Sequence, residues 1–453
     1  MPVKNLFSKY NIPGPRYTSY PTVPFWTEPP SKSEWENEVK FTFQKTNSKE
    51  GISIYIHLPF CESLCTYCGC NTRITVNHAV EKMYINAVLK EWALYLELFE
   101  EKPRIKELHL GGGTPTFFSP ENLQMLIHSI LSSATRCPES EFSFEAHPNN
   151  TTEEHLKTLY ALGFKRISIG VQDFDPVVQE IVNRVQPFEH VKRLTDWSRK
   201  IGFTSINFDL IYGLPKQTKA GIITTIEKVS TLLPDRIAFY SYAHIPWIKP
   251  GQRKFTEADL PANEEKLELY ETGRQMLALK GYEEIGMDHF ALPTDSLYHA
   301  KIEKHLHRNF MGYNSHSTRL LIGLGVSSIS DSWTAFIQNE KKVEDYYKRV
   351  DENTLPFFKG HLLSKEDTIL RKHILNIMCY GYTSWEQEHE QFETLERTVQ
   401  ELKEFEKDGL LRTEKYGVQI LQNGLPFIRN ICMAFDARMR NNESNKVRLS
   451  QTI

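Results

Sequence analysis

The sequence predicts an α/β protein with a parallel sheet, and two observations predict it. Between residues 51 and 245 six short β-rich runs recur, at Ser53–His57, Glu107–Leu110, Phe142–Glu145, Arg166–Val171, Asn207–Tyr212 and Arg236–Tyr242. Amphipathic helical patterns lie between most of them, such as Val80, Met83, Tyr84, Ala87, Val88, Trp92 and Tyr95 at i, i+3, i+4, i+7 spacing. Strand–helix units in succession make a parallel sheet with right-handed crossovers. A barrel, a partial barrel and an open doubly wound sheet all satisfy this pattern. In each, ligands collect at the strand C-terminal ends. Polar residues do recur there: His57, Gly111-Gly-Gly-Thr114, Glu145-Ala-His147, Gln172-Asp173, Asp209 and Tyr242-Ala-His244.

The remaining elements follow in order. Residues 1–50 read as irregular and aromatic, because Pro13-Gly-Pro-Arg-Tyr-Thr-Ser-Tyr-Pro21 excludes helix interior and central strand. We expect this segment to be a strap or lid. Leu156, Leu159 and Leu162 form a helical stripe that stops at Gly163, and Asn263–Leu279 reads as a further helix before Gly281. From about 360 the style changes. Helical patterns at Thr368–Tyr380 and Glu393–Lys407 precede Asp408–Arg412 and Val418–Leu421 about the turn Tyr416-Gly417, which reads as a winged-helix-like module. The expected domains are thus a strap (1–50), a catalytic α/β body with extensions (51–360) and a small, mostly helical C-terminal domain (361–453).

Composition narrows the function. The chain has 453 residues, 54 Lys+Arg against 57 Asp+Glu, and a net charge of −3, so it is no bulk-charge binder of polyanions. Segment Glu386–Lys407 holds more acids than bases, which argues against a nucleic-acid-reading helix. No apolar run approaches the roughly 18 residues of a membrane span, and the first 20 residues lack a secretion-signal core. We therefore expect a cytoplasmic protein. No long heptad pattern is present, so a monomer is expected.

Seven cysteines are present, and four crowd into Cys61-x3-Cys65-x2-Cys68-x-Cys70. A zinc site prefers two separated pairs, and a disulfide is unexpected in a reducing compartment. Thiolates on one short loop can wrap an iron–sulfur cluster. The Cys-x3-Cys-x2-Cys loop just after a first strand, with Tyr67 before the last of the three, resembles the radical S-adenosylmethionine (SAM) enzymes. In that family three thiolates hold a [4Fe–4S] cluster and leave one iron for SAM.

Further motifs narrow the resemblance to the oxygen-independent coproporphyrinogen III oxidases. They are Tyr55-x-His57-x-Pro59-Phe60-Cys61, Cys68-Gly-Cys70-Asn71, Gly111-Gly-Gly-Thr-Pro115, Gly170-Val-Gln-Asp-Phe174 and Asp209-Leu-Ile-Tyr-Gly-Leu-Pro215. Tyr242-Ala-His244, Gly286-Met-Asp-His-Phe290, His307-Arg-Asn-Phe310, Arg429-Asn-Ile-Cys432 and the leader Arg16–Pro21 belong with them. The match runs from about residue 12 to 437. It departs at His147, where an acidic or amide residue is expected, and at Asn314-Ser-His-Ser-Thr-Arg319, where relatives are Thr-rich.

The resemblance implies a partial (β/α)6 barrel with the cluster loop after the first strand. It implies that Cys61, Cys65 and Cys68 ligate the cluster, while Cys70 is no ligand and serves catalysis along with Tyr55. Tyr55, Gly112, Glu145 and Ile329 match contacts to the cluster-bound SAM. Tyr67, Gly113, Thr114, Gln172, Arg184, Asp209 and Ala243 match contacts to a second SAM. The implied reaction is oxidative decarboxylation of two propionates of coproporphyrinogen III to vinyl groups, started by a 5′-deoxyadenosyl radical and giving protoporphyrinogen IX. The implied partners are that substrate and a low-potential electron donor such as a flavodoxin or ferredoxin. The substrate's carboxylates call for cations, with Arg16, Arg253, Lys254, Arg308 and Arg429 as candidates. The rivals within the superfamily are a haem chaperone, which typically lacks the fourth cysteine and the leader, and an anaerobic haem-degrading methyltransferase.

Overall fold

The computed structural model describes residues 3–441 and 451–452. Two compact units divide the chain. One comprises residues 29–282 and 318–360; the other comprises 1–28, 283–317 and 361–453.

The first unit is the α/β body. Its parallel strands are β1 (Ile52–Leu58), β2 (Arg104–Gly112), β3 (Thr135–Ala146), β4 (Arg166–Gln172), β5 (Ser205–Tyr212) and β6 (Arg236–Ser241), hydrogen-bonded in that order. All six expected strands are present; five lie within three residues of their predicted bounds, and β3 starts seven residues earlier than the expected Phe142. The sheet does not close β6 onto β1. Instead β7 (Leu321–Leu324) pairs parallel with β1, with Tyr55 opposite Gly323. Antiparallel β8 (Ile329–Asp331) and β9 (Ala335–Asn339) continue that side. The sheet is therefore a partial barrel, and the most apolar stretch of the sequence, around Leu320–Val326, is its added strand.

Helices Val80–Leu96, Pro120–Ser132, Glu153–Ala161, Phe188–Ile201, Lys219–Leu232 and Asn263–Leu279 follow the six parallel strands in turn. Residues of one sheet face, such as Ile54, Ile56, Leu108, Leu110, Phe142, Phe144, Ile167 and Ile169, are fully buried, as a face covered by helices requires. Helix Phe188–Ile201 stops at Gly202, whose φ of +111° is the left-handed cap that glycine adopts without a Cβ penalty.

The expectation of irregular structure through residue 50 is corrected. Lys32–Thr46 is a helix that starts at Ser31, where the Ser31 side chain and Glu34 form a capping box. No Gly or Pro interrupts residues 32–46, and Trp35, Val39 and Phe43 bury one face.

The second unit contains helices Lys365–Tyr380 and Leu395–Lys407, and a sheet of Leu411–Glu414 and Gly417–Ile420 extended by Tyr382–Ser384. The wing expected from the sequence has this third strand in addition. The aromatic leader packs into this unit: Tyr17 and Tyr20 are buried in its core, and the Tyr17 hydroxyl donates to Asp436 Oδ2 at 3.0 Å. Arg429 turns inward, donating through Nε to the Pro15 carbonyl at 2.9 Å and through Nη1 to the Thr452 carbonyl at 2.9 Å. Its guanidinium fastens the leader, which removes it from the candidate propionate-binding cations. Among the described residues no helix is long and apolar enough to cross a membrane.

Candidate active site

The predicted cluster and SAM residues lie in the α/β body, mostly at strand C-terminal ends, whereas Arg16 and Arg308 lie with Arg429 in the second unit. The cysteine loop leaves β1 through Pro59 and Phe60. Phe60–Cys61 pairs with Arg73–Ile74, so the loop's two ends are stitched together. Its middle is anchored by Thr66, whose N–H donates to the Val182 carbonyl at 2.9 Å, and by Asn183 Nδ2, which donates to the Leu64 carbonyl at 2.7 Å. Cys61, Cys65, Cys68 and Cys70 are all free thiols. Among the described residues no three His, Cys, Asp or Glu side chains converge on a single ion.

The β2 end meets this loop. The Gly113 N–H donates to the Leu58 carbonyl at 2.8 Å, and Thr114 Oγ1 lies 3.3 Å from Cys61 Sγ. The glycines are required by the close approach. A Cβ on Gly112 would sit 2.7 Å from the His57 ring, and one on Gly113 would sit 2.6 Å from the Pro59 carbonyl oxygen. Glu145, at the end of β3, accepts from the Gly112 N–H at 3.1 Å and has the His109 ring 3.6 Å away.

Tyr55, on β1, places its hydroxyl 3.1 Å from His57 Nδ1, while His57 Nε2 is 2.8 Å from the Asn71 carbonyl. A carbonyl only accepts, so Nε2 carries the proton and Nδ1 accepts from Tyr55. Burial lowers the His57 pKa, which keeps the ring neutral. The arrangement ties the residue after Cys70 to the first strand.

Gln172 ends β4 with φ +66° at a register irregularity, which turns the chain toward Arg184. Arg184 donates through Nη2 to the Gly170 carbonyl at 2.6 Å and through Nε to Gln186 at 3.1 Å, and its Nη1 is 3.5 Å from Cys65 Sγ. Asp209, on β5, accepts from Ser168 at 2.9 Å and from Asn207 at 2.8 Å. Burial, then the charge of Glu145, pushes its pKa up to about 7. Tyr67 packs on the apolar cluster of Val178, Val182, Leu214 and Tyr242. Ala243 follows β6, and its carbonyl accepts from Gln252 at 3.3 Å. Ile329 opens β8 against Gly323, the residue opposite Tyr55. The predicted residues thus come from β1 to β5, from β8 and from the loops that follow the parallel strands, on one sheet.

Cys68 and Cys70 share a hydrogen bond that lowers the Cys68 pKa and raises that of Cys70. Burial pushes the Cys61 thiol up to about 11. Three unpaired thiols on one pinned loop, facing a guanidinium, suit thiolate ligation of an iron–sulfur cluster, whose positive charge offsets that burial. A Cβ on Gly69 would meet nothing within 4 Å, so the loop is open between Cys68 and Cys70.

The sequence reading passed over two residues that hold this loop. Lys249 Nζ donates to the Cys70 carbonyl at 3.0 Å, and Gln252 Nε2 donates to the Tyr67 carbonyl at 3.3 Å. Both lie far from the loop in sequence, and no local pattern marks them.

Residues 55–229 match the Radical SAM superfamily model. The chain is 38% identical over 445 residues to the oxygen-independent coproporphyrinogen III oxidase of Helicobacter pylori J99, covering 97% of each. It is 38% identical over 451 residues to that of Salmonella typhimurium, covering 98% of this chain and 96% of the relative. The chain belongs to the oxygen-independent coproporphyrinogen III oxidase family. A solved relative, the coproporphyrinogen III oxidase of Escherichia coli, described as a radical SAM enzyme, superposes with a TM-score of 0.88 at 37% identity. That superposition covers 93% of this chain and 97% of the solved one. The partial barrel and its cysteine loop are thus those of a radical SAM enzyme of this family, with a [4Fe–4S] cluster and SAM as its cofactors. The haem-chaperone and methyltransferase readings are not favoured.

Proposed function

We propose that this chain converts coproporphyrinogen III to protoporphyrinogen IX by oxidative decarboxylation of two propionates, without oxygen. The observation that carries this reading is the four-cysteine loop seated on the β2 glycines of a chain that is similar to coproporphyrinogen III oxidases over nearly its whole length. With both cofactors bound, one-electron cleavage of SAM supplies a radical able to take hydrogen from a propionate β-carbon, after which CO2 and a further electron leave.

The protein's own part is binding and orientation. Cys61, Cys65 and Cys68 hold the cluster. Gly112, Glu145, Ile329 and Tyr55 would hold the SAM beside it, the glycine leaving room where a side chain would block close approach. Tyr67, Gly113, Thr114, Gln172, Arg184, Asp209 and Ala243 line a second SAM position. Arg184 already engages the Gly170 carbonyl, Gln186 and Cys65, so it acts first by fixing the loop. Cys70 is left beside the cluster for substrate chemistry, with Tyr55 opposite. The α/β body of residues 29–282 and 318–360, rather than the 51–360 expected from the sequence, carries this chemistry; the leader (1–28) belongs with 283–317 and 361–453 in the second unit. The working form is a cytoplasmic monomer supplied with electrons by a flavodoxin or ferredoxin.

The test is anaerobic turnover of the reconstituted protein with SAM, a low-potential reductant, an electron acceptor and coproporphyrinogen III. The expected product is protoporphyrinogen IX with 5′-deoxyadenosine. SAM cleavage without vinyl formation contradicts the reading.

A further inference from the structure

SAM cleavage consumes an electron that must enter from outside the chain, and residues 244–254 form a surface directly against the cysteine loop. Lys249 Nζ donates to the Cys70 carbonyl at 3.0 Å. Gln252 bridges the Tyr67 and Ala243 carbonyls at 3.3 Å each, and Gly251 packs on the Leu64 side chain. Three large apolar side chains stand out to solvent here: Leu64 at 41% exposure, Trp247 at 45% and Ile248 at 58%. Three cations lie on the same segment, Lys249, Arg253 and Lys254, and Arg253 Nε donates back to the Pro246 carbonyl at 3.0 Å. No Asp or Glu occurs between His244 and Thr256. The carboxylate within the cysteine loop, Glu62, is engaged by Asn150 at 2.7 Å. A locally basic, apolar-centred face thus sits on a chain whose net charge is −3.

We propose that this face docks a small acidic one-electron carrier protein. The inference rests on the proposed oxidase reading and names that site's electron source. One electron leaves the carrier and reduces the cluster; no bond is made or broken, and the carrier departs oxidised by one electron. Electron tunnelling falls steeply with distance, and this surface touches the loop that holds the cluster. Exposed apolar groups flanked by cations suit a transient encounter of less than about 1,200 Å², fast to form and fast to part. A reacting substrate needs enclosure from water instead. Arg253 and Lys254 are thereby assigned to the carrier rather than to propionates.

Stopped-flow bleaching of the reconstituted cluster by reduced flavodoxin, compared with dithionite, tests this. The variants are Ile248→Glu and the double reversal Arg253→Glu/Lys254→Glu. Both are expected to slow flavodoxin-driven bleaching about tenfold at low salt. The wild-type rate is expected to fall with added salt, and the double variant to lose that dependence. Ile248→Glu is expected to keep dithionite-driven turnover. Unchanged flavodoxin-driven bleaching in both variants overturns the proposal. So does a raised coproporphyrinogen KM of the double variant under dithionite, which returns these cations to the substrate. Absence of product from wild-type protein under dithionite would count against the oxidase reading alone, since the bleaching rates still decide the docking.

Discussion

The proton on His57 Nε2 points at the Asn71 carbonyl, and that single bond places Cys70 one residue from a fixed point. Cys70 itself donates nothing to the sheet. It shares a hydrogen bond with Cys68, and its residue is exposed at the open side of the loop. A thiol so placed can act on substrate without holding iron. Cys70→Ser is therefore expected to keep the cluster's visible absorbance and SAM cleavage. It is also expected to lose decarboxylation by about two orders of magnitude, the span of a positioned proton-transfer group. Loss of the absorbance in Cys70→Ser would make it a ligand and contradict the assignment. At this scale much was legible in the sequence. Short-range spacing marks the cysteines and the glycine run, because loop ligation and close backbone approach both demand particular residues in tight order. Lys249 and Gln252 were not legible. Their role depends on where β6 sets down the following loop, and nothing near them in sequence shows it.

The junction of β1 and β2 is the element on which the site is built. Leu58 accepts from Gly113, Phe60 accepts from Thr114, and the cysteine loop begins between these two bonds. Gly113→Ala puts a methyl group 2.6 Å from the Pro59 carbonyl oxygen, a backbone atom that cannot rotate away. The strand ends must then part, at a cost of about 1–3 kcal/mol. The expected result is lower iron content after reconstitution and weaker SAM binding, with far-ultraviolet circular dichroism unchanged; wild-type iron content would refute it. The six parallel strands were readable because buried β-rich runs alternate with helical periodicity. The helix Lys32–Thr46 was also written in the sequence, in Ser31, Glu34 and the buried stripe of Trp35, Val39 and Phe43, but the prolines and aromatics before it masked that signal. Strands β7 to β9 were not readable as part of this sheet. The chain leaves after Tyr282 and returns at Thr318, and pairing across such an interval leaves no local trace.

For the molecule as a whole, the α/β body buries carboxylates that resist ionisation. Glu107 faces Glu141 across the β2–β3 ladder and bonds Ser53 at 3.0 Å, and burial, then Glu141, raises its pKa to about 7. Glu91, hydrogen-bonded to Gly325, Tyr346 and Asn339, is likewise raised to about 7 by burial. Between the ordinary glutamate value and 7, the folded state holds protons that the unfolded chain has released. Stability therefore falls as pH rises through that window and levels off above it. Glu107→Gln removes one such proton, while the Ser53 hydroxyl keeps Thr318 Oγ1 as a partner at 2.8 Å. Its urea midpoint relative to wild type should climb from pH 5 to pH 8, by up to about 3 kcal/mol in stability. A pH-independent difference would mean that Glu107 ionises normally.

The family resemblance also belongs to this scale, because it spans both units and nearly the whole chain. On the proposed reading, the site takes hydrogen from a propionate side chain by way of SAM. The measurement that tests it most directly uses coproporphyrinogen III deuterated at the propionate β-carbons, turned over anaerobically by the reconstituted protein, with mass analysis of the nucleoside formed. Deuterium is expected in 5′-deoxyadenosine together with vinyl-bearing product. Unlabelled 5′-deoxyadenosine with the propionates intact would contradict that reading.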